Sequence, residues 1–179
     1  MRLFHFSDDP AITRFKPRPV LQPAPRPPGR DWLNGPLVWA IEERRQAMYL
    51  FPRDCPRILL WPTEATTDED KHRFWQGGDW RMVAYVEQAW LGAITRASLY
   101  RYDMPPETFE SLEDAGMWVS HAPATPLGMQ PICDLAAALG DEGVDLRALP
   151  TLEPLRDVWS TTLHASGLRL RNAVSWPGG

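Results

Sequence analysis

Apolar and polar positions alternate along the chain in short segments, most of them with period two. Across Arg2 to Phe6, Leu3 and His5 face one way and Phe4 and Phe6 the other, which predicts a first strand with His5 projecting from it. Ser7-Asp8-Asp9-Pro10 is a turn or cap cluster, and Ala11 to Phe15 suits a short helical turn. After the Asn34-Gly35-Pro36 turn, the run from Leu37 to Ile41 predicts a buried strand whose Trp39 lines core or pocket. Glu42 to Phe51 predicts a short helix with Ala47, Leu50 and Phe51 on one face, and Ile58 to Trp61 a second buried strand stopped by Pro62. Thr67-Asp-Glu-Asp70 caps a helix running to Gln76 and ended by Gly77-Gly78. Met82, Val83, Val86, Ala89, Trp90 and Ala93 recur at helical spacing, so the pattern predicts a longer helix over Asp79 to Ala93 with that stripe in the core.

The second half returns to short strands. Leu99 to Asp103 alternates as a half-exposed strand with Arg101 outward, Pro105 to Asp114 is an acidic connection, and Gly116 to Ser120 and Leu127 to Cys133 read as two more strands. Leu135 to Leu139 predicts a helix closed by Gly140, and Val144 to Leu149 a strand. Glu153 to Leu163 predicts an amphipathic helix with Leu155, Val158, Trp159 and Thr162 inward, and the alternation from His164 to Asn172 a final edge strand. The segment 16–30 breaks the pattern with six prolines and four basic side chains, which excludes a regular helix or a central strand and predicts a polyproline II loop along the surface or the border of a pocket. The elements together predict an α+β domain over 1–179 with helices packed outside its strands.

Composition narrows this picture. A chain of 179 residues, 44% hydrophobic and 23% charged, suits one globular domain. A net charge of −4 argues against broad nonspecific grip on nucleic acid or on an anionic membrane. No apolar run reaches the length of a membrane span, and the N-terminus lacks the apolar stretch of a signal peptide, so a cytoplasmic protein is expected. Cys55 and Cys133 stand apart from each other and from any Cys/His cluster, which predicts reduced thiols and no metal site. Nine tryptophans and nineteen prolines point to a rigid, aromatic-rich body.

The motif search removes whole classes. There is no GxGxxG, GxxxxGK[ST], HExxH or GxSxG, and the four histidines are isolated in sequence. What remains is a constellation of His5, Trp39, Tyr49, Arg53 and Arg57. Pro52 and Pro56 stiffen the turn that carries the two arginines. Those arginines either pair with nearby acids such as Asp54 or form an anion clamp, for which the planar guanidinium fork is suited. Aromatic faces beside fixed arginines fit a nucleotide, whose base stacks and whose phosphates need cations.

The segment Tyr49-Leu-Phe-Pro-Arg-Asp-Cys-Pro-Arg57 resembles the aromatic-Phe-x-Pro-Arg-x-Pro segment of the DNA-modifying ADP-ribosyltransferases of bacterial toxin–antitoxin systems. The order of a first strand with a histidine, Leu3-Phe4-His5-Phe6-Ser7, then a turn, a short strand and an aromatic-led helix is similar to the ADP-ribosyltransferase fold. So is the later layout of Leu99-Tyr-Arg-Tyr, Met117-Trp-Val-Ser and Gln130-Pro-Ile-Cys133. Over nearly its full length the chain also looks like a bacterial family of unassigned function whose members open with Arg-Leu-Phe-His-Phe-Ser and carry Leu-Phe-Pro-Arg-Asp-Cys-Pro-Arg.

The resemblance implies an ADP-ribosyltransferase-like mixed β-sheet split into two halves around a cleft, with peripheral helices, and NAD as substrate. His5 would then contact a ribose hydroxyl, Tyr49 or Trp39 would stack near the nicotinamide, and Arg53, with Arg57 in the same segment, would sit by the phosphates or the nicotinamide ribose. The family's catalytic glutamate belongs on the strand matching Ala115-Gly-Met-Trp-Val119, where this chain has Gly116 and Met117. Glu113 or Asp114, from the preceding loop, would have to supply the catalytic carboxylate. The acceptor would be a nucleic acid or a protein. A non-enzymatic nucleotide-binding or interaction domain is the alternative, and a proline loop serving a partner protein beside purely structural arginines is a third reading.

Overall fold

The computed structural model describes residues 1–21, 23–174 and 176. Its strands are β1 (Leu3–Ser7), β2 (Val38–Glu42), β3 (Arg57–Trp61), β4 (Met82–Glu87), β5 (Leu99–Met104), β6 (Glu110–Ser111), β7 (Met117–Ser120), β8 (Gly128–Ile132), β9 (Val144–Leu149) and β10 (His164–Leu168). The α-helices are short: α1 (Asp68–Asp70), α2 (Leu91–Arg96) and α3 (Leu135–Asp141). The fold is α+β, and its strands fall into two sheets in which antiparallel pairing dominates. Contacts group the chain into two compact units, Met1–Gln46 with Leu99–Ile132, and Ala47–Ser98 with Cys133–Gly179.

The first unit is built on a six-stranded sheet of order β6-β7-β2-β1-β5-β8 in which every pairing is antiparallel. Alternation along the strands gives each face its own core. Leu3, Val38, Ala40, Tyr102 and Met104 pack with Phe15, Phe109 and Ala124 on one face. On the other, Leu37, Leu33, Leu112 and Val119 pack with Trp39 and Met117. The proline-rich segment is tied back to this unit rather than left as a tail. Arg18 pairs with Leu37 in an isolated bridge, and Asn34 exchanges side-chain hydrogen bonds with both backbone groups of Ala24.

The second unit carries a four-stranded sheet of order β10-β3-β4-β9, with β9 parallel to β4 and the other pairings antiparallel. Every residue of β3 and β4 is buried, as expected of inner strands covered on both faces. Asp134 caps α3 through Oδ1, which accepts from the Ala137 N–H at 2.9 Å, and Thr67 caps α1 as its sequence predicts.

Three expectations change. The predicted helix over Asp79 to Ala93 is replaced by the central strand β4, a 3₁₀ turn at Gln88–Trp90 and α2. Met-Val-Ala-Tyr-Val is apolar throughout because both faces are covered, and such a run matches helical spacing as well as it matches a strand. The stripe is nonetheless core, since Met82, Val83 and Val86 are buried. The predicted helices after Glu42 and Glu153 are 3₁₀ segments, Glu43–Tyr49 and Glu153–Ser160. Three residues per turn in the latter put Leu155 and Val158 inward and leave Trp159 46% exposed. The tail's edge strand is β10, which ends at Leu168 and gives way to a further 3₁₀ turn.

Candidate functional site

The residues singled out in the sequence are divided between the units. His5, Trp39, Glu113 and Asp114 belong to the first, and Tyr49, Arg53 and Arg57 to the second.

In the first unit, β1 is an inner strand, and its His5 ring is fixed by an Nδ1 hydrogen bond of 2.8 Å with the Trp39 carbonyl and by packing on Phe15, 4.5 Å between ring centroids. Phe15 meets Tyr102 edge-on, and the Tyr102 hydroxyl donates to the Asp9 carbonyl at 2.7 Å while accepting from the Ile12 N–H at 3.2 Å. The chain after β1 is thereby folded over the histidine's face. His5 pairs with Tyr102 across β5, and Tyr102 shares its core with Ala40, the neighbour of Trp39 in β2. Alternation therefore sends the Trp39 indole to the opposite face, where it packs beside Val119 and Leu37. The structure joins His5 to the Trp39 backbone and separates their rings.

Glu113 and Asp114 sit in the tight turn from β6 to β7. The Leu112 N–H donates to the Met117 carbonyl at 3.0 Å, and the Met117 N–H to the Asp114 carbonyl at 2.9 Å. Closing the turn requires left-handed backbone at Glu113 (φ 54°), Ala115 (φ 47°) and Gly116 (φ 73°). Two of those three residues carry a Cβ, so the turn stores strain of the kind that gathers at functional sites. Gly116 is required twice over, because a Cβ there would lie 2.6 Å from Glu42 Cγ. Glu113 borders a cavity of about 300 Å³ together with Glu110, Ser111, Arg30 and Trp32. Arg30 anchors it by donating from Nη1 to the Leu112 carbonyl at 3.3 Å, and Trp32 stacks on His121 with centroids 5.8 Å apart. Asp114 is not among the residues that line it. Sequence reasoning missed Arg30 and Trp32 as lining residues, and the signal for them was the basic and aromatic pair closing the proline segment.

In the second unit the two arginines of the stiff turn have different environments. Arg53 is exposed at its tip. Its carbonyl accepts from Arg169 Nε at 3.1 Å, and the Asp54 carbonyl accepts from Asn172 Nδ2 at 2.7 Å, so the chain after β10 clasps the turn. Arg57, the first residue of β3, is 3% exposed. Its Nε donates to the Met48 carbonyl at 2.9 Å and its Nη1 to the Cys55 carbonyl at 3.0 Å. Phe51 and Tyr49 flank the guanidinium, with ring centroids 5.0 and 5.8 Å away. Burial pulls the Arg57 pKa down to about 10, which leaves it a cation at neutral pH. Burial also pushes the Cys55 thiol up to about 12, against the opposing pull of Arg57. Arg57 thus ties three aromatic and loop segments together from inside, where the sequence places both arginines on or beside a surface turn. A second cavity of about 450 Å³ in this unit is lined by Trp75, Trp80, Asp68, Lys71 and His72, and includes none of the residues predicted for the site.

A family model described as a family of unknown function, DUF6886, matches residues 4–173. The chain belongs to DUF6886. No curated protein and no solved structure matches it. The DUF6886 match runs through both units and includes all seven residues above. No cluster of His, Cys, Asp and Glu suited to a metal occurs among the described residues of this DUF6886 chain, and no helix among them is long and apolar enough to cross a membrane.

Proposed function

We propose that this DUF6886 protein binds NAD or a related nucleotide in the manner of the ADP-ribosyltransferases that its sequence resembles. The observation that carries the reading is His5. It projects from an inner strand of an antiparallel sheet near the N-terminus, and its ring is oriented by the Trp39 carbonyl before any ligand arrives. A ring fixed in advance contacts a ribose hydroxyl without the entropic cost of ordering it. Within the first unit Trp39 serves this reading by its carbonyl, which orients the histidine, while its indole lies on the opposite face of the sheet; within the second unit Arg57 holds Tyr49 and the loop around it. Glu113, at a strained turn beside a cavity with Arg30 and Trp32, is the carboxylate for transfer, ahead of Asp114. It would support the cationic sugar as nicotinamide leaves. The acceptor is a nucleic acid or a protein.

The test is a thermal-shift and calorimetric titration of the full chain with NAD, ADP-ribose and nicotinamide, followed by a nicotinamide-release assay. NAD is expected to raise the melting temperature, and His5→Ala to weaken binding about tenfold or more while keeping the wild-type circular dichroism. A folded His5→Ala protein with unchanged affinity would refute the reading. A specific observation favours a second reading, binding without transfer: β7, Met117–Ser120, carries no carboxylate where the resemblance expects one. Release of nicotinamide that Glu113→Gln abolishes would decide for the enzyme, and binding with no release would decide for the binder.

A further inference from the structure

Among the described residues, three buried side-chain donors have no hydrogen-bond partner: the indole N–H groups of Trp39 and Trp118 and the Nε–H of Arg101. A buried donor left unmatched costs about 1–3 kcal/mol, and native proteins hold few of them. Strand register puts two of the three on one face of the six-stranded sheet. Arg101 pairs with Phe6, which lies on the same side of β1 as Phe4, and Phe4 pairs with Ile41, two residues from Trp39 in β2. The Arg101 guanidinium indeed lies 4.4 Å from the Phe4 ring centroid. Trp118 pairs with Ala40 and so belongs to the His5 face.

The charge on the Trp39 face is also unbalanced. Arg101 spends Nη1 on Gln46 Oε1 at 2.9 Å and Nη2 on Gln130 Oε1, both neutral acceptors, so no carboxylate neutralises it. A second guanidinium, that of Arg26, stands 5.8 Å from the Trp39 ring centroid and bonds the neutral Asn34 Oδ1 at 3.4 Å. Of the acids on this face, Asp103 is engaged by Arg2 at 3.4 Å, and Glu110 stands across Val119 on the edge strand β6. Arg101 and Trp39 are themselves half-buried.

From these observations we infer that the Trp39 face of the six-stranded sheet is an oxyanion site that takes a phosphoryl group through Arg101 Nε–H and the Trp39 indole N–H, with Arg26 adding charge. Two guanidinium groups and an indole donor match a doubly charged group with several terminal oxygens better than they match a neutral ligand, and the guanidinium fork suits phosphate geometry. The site goes beyond the nucleotide reading, because it does not depend on His5. A free phosphate and a phosphoryl group carried by a nucleotide share this chemistry, and the experiment separates them.

The full chain is titrated with inorganic pyrophosphate at low ionic strength, by thermal shift and calorimetry, beside Trp39→Phe, Arg101→Lys and Trp118→Phe. Trp39→Phe keeps the ring and removes the N–H, and Arg101→Lys keeps the charge and removes the Nε–H. Each is expected to weaken pyrophosphate binding about tenfold or more, and Trp118→Phe, on the opposite face, to leave it unchanged. Absence of any pyrophosphate-dependent stabilisation, or equal affinity in all three variants, overturns the inference. If Arg101→Lys fails to fold, Trp39→Phe against Trp118→Phe decides alone. ADP binding more tightly than pyrophosphate, with the same sensitivity, makes the phosphoryl group a nucleotide's; equal affinities make it free phosphate. NAD binding that His5→Ala destroys and Trp39→Phe and Arg101→Lys spare ends the inference and keeps the proposed function. Pyrophosphate binding with no NAD binding does the reverse.

Discussion

Arg57 and Arg101 are both strand arginines stacked on phenylalanine, one in each unit, and they are used differently. Arg57 is 3% exposed and gives its donors to two backbone carbonyls, so its charge is spent on the fold. Arg101 is half-buried, meets two neutral side-chain amides and keeps an unmatched Nε–H. The sheets around them differ in the same sense. In the four-stranded sheet the inner strands β3 and β4 are buried at every position and exposure is confined to the edge strands β9 and β10, whereas in the six-stranded sheet the inner strands β1 and β5 also keep half-exposed residues. A buried guanidinium whose donors meet backbone carbonyls works as structure, and a buried donor left unmatched carries a cost that a bound acceptor would remove. On the inference drawn above, Arg57 serves the fold of the second unit and Arg101 a ligand of the first.

The sharpest way to break that contrast is to truncate both arginines. Arg57→Ala strands the Met48 and Cys55 carbonyls in the interior and opens a cavity beneath Phe51, so it is expected to cost roughly 3–5 kcal/mol in urea denaturation. Arg101→Ala, whose partners can turn to water, is expected to cost about 1–2 kcal/mol. Equal losses would mean that Arg101 is as structural as Arg57, and the functional weight placed on the first unit would go with it.

Much of this was legible because proline and glycine punctuate the chain. The strand at Leu3, the one stopped by Pro62, the Thr67 cap and the strand from Val144 all lie where alternation and turn residues put them. The central strand β4 was hidden because burial on both faces erases alternation. Trp159 was misplaced because a 3₁₀ segment turns every three residues and not every 3.6. At the site, the projection of His5 from a strand was readable locally. The inward turn of Arg57 was not, since an arginine between prolines resembles a surface residue until the Met48 and Cys55 carbonyls are brought to it. Nor was the sharing of a face by Arg101 and Trp39, which depends on β1 pairing with strands far away in sequence on either side.

A smaller effect reports on the scaffold side alone. The Cys55 pKa is raised from 9.0 to about 12 in the fold, so as pH passes 9 the unfolded chain loses this proton and the folded chain keeps it. The unfolded state then binds fewer protons, and stability falls with a slope approaching about 1.4 kcal/mol per pH unit. From about pH 10 the fold begins to lose the Arg57 proton, which the unfolded chain holds to higher pH, and the slope reverses sign for that group and offsets the loss. Denaturation midpoints from pH 8 to 10 should therefore decline in wild type and flatten in Cys55→Ala. Parallel profiles would show that Cys55 is not held in the dry interior that the second unit supplies.

The smallest effect tests the first unit's strain. Ala115 holds φ 47° one residue before Gly116, and Glu113, two residues earlier, holds φ 54° beside the cavity. A left-handed alanine costs about 1–2 kcal/mol, and glycine at the same place removes that cost while adding about 0.5–1 kcal/mol of unfolded-state entropy. Ala115→Gly is thus expected to stabilise the protein by up to about 1 kcal/mol in thermal and urea melts. Gly116→Ala moves the other way, because its Cβ would meet Glu42 Cγ at 2.6 Å and Arg45 Cγ at 2.8 Å. If Ala115→Gly is neutral or destabilising, the turn that presents Glu113 is relaxed and owes its shape to ordinary hairpin geometry. A gain means that the protein keeps an alanine where glycine would be more stable, a cost that a turn placing Glu113 against Arg30 and Trp32 explains and a purely structural hairpin does not.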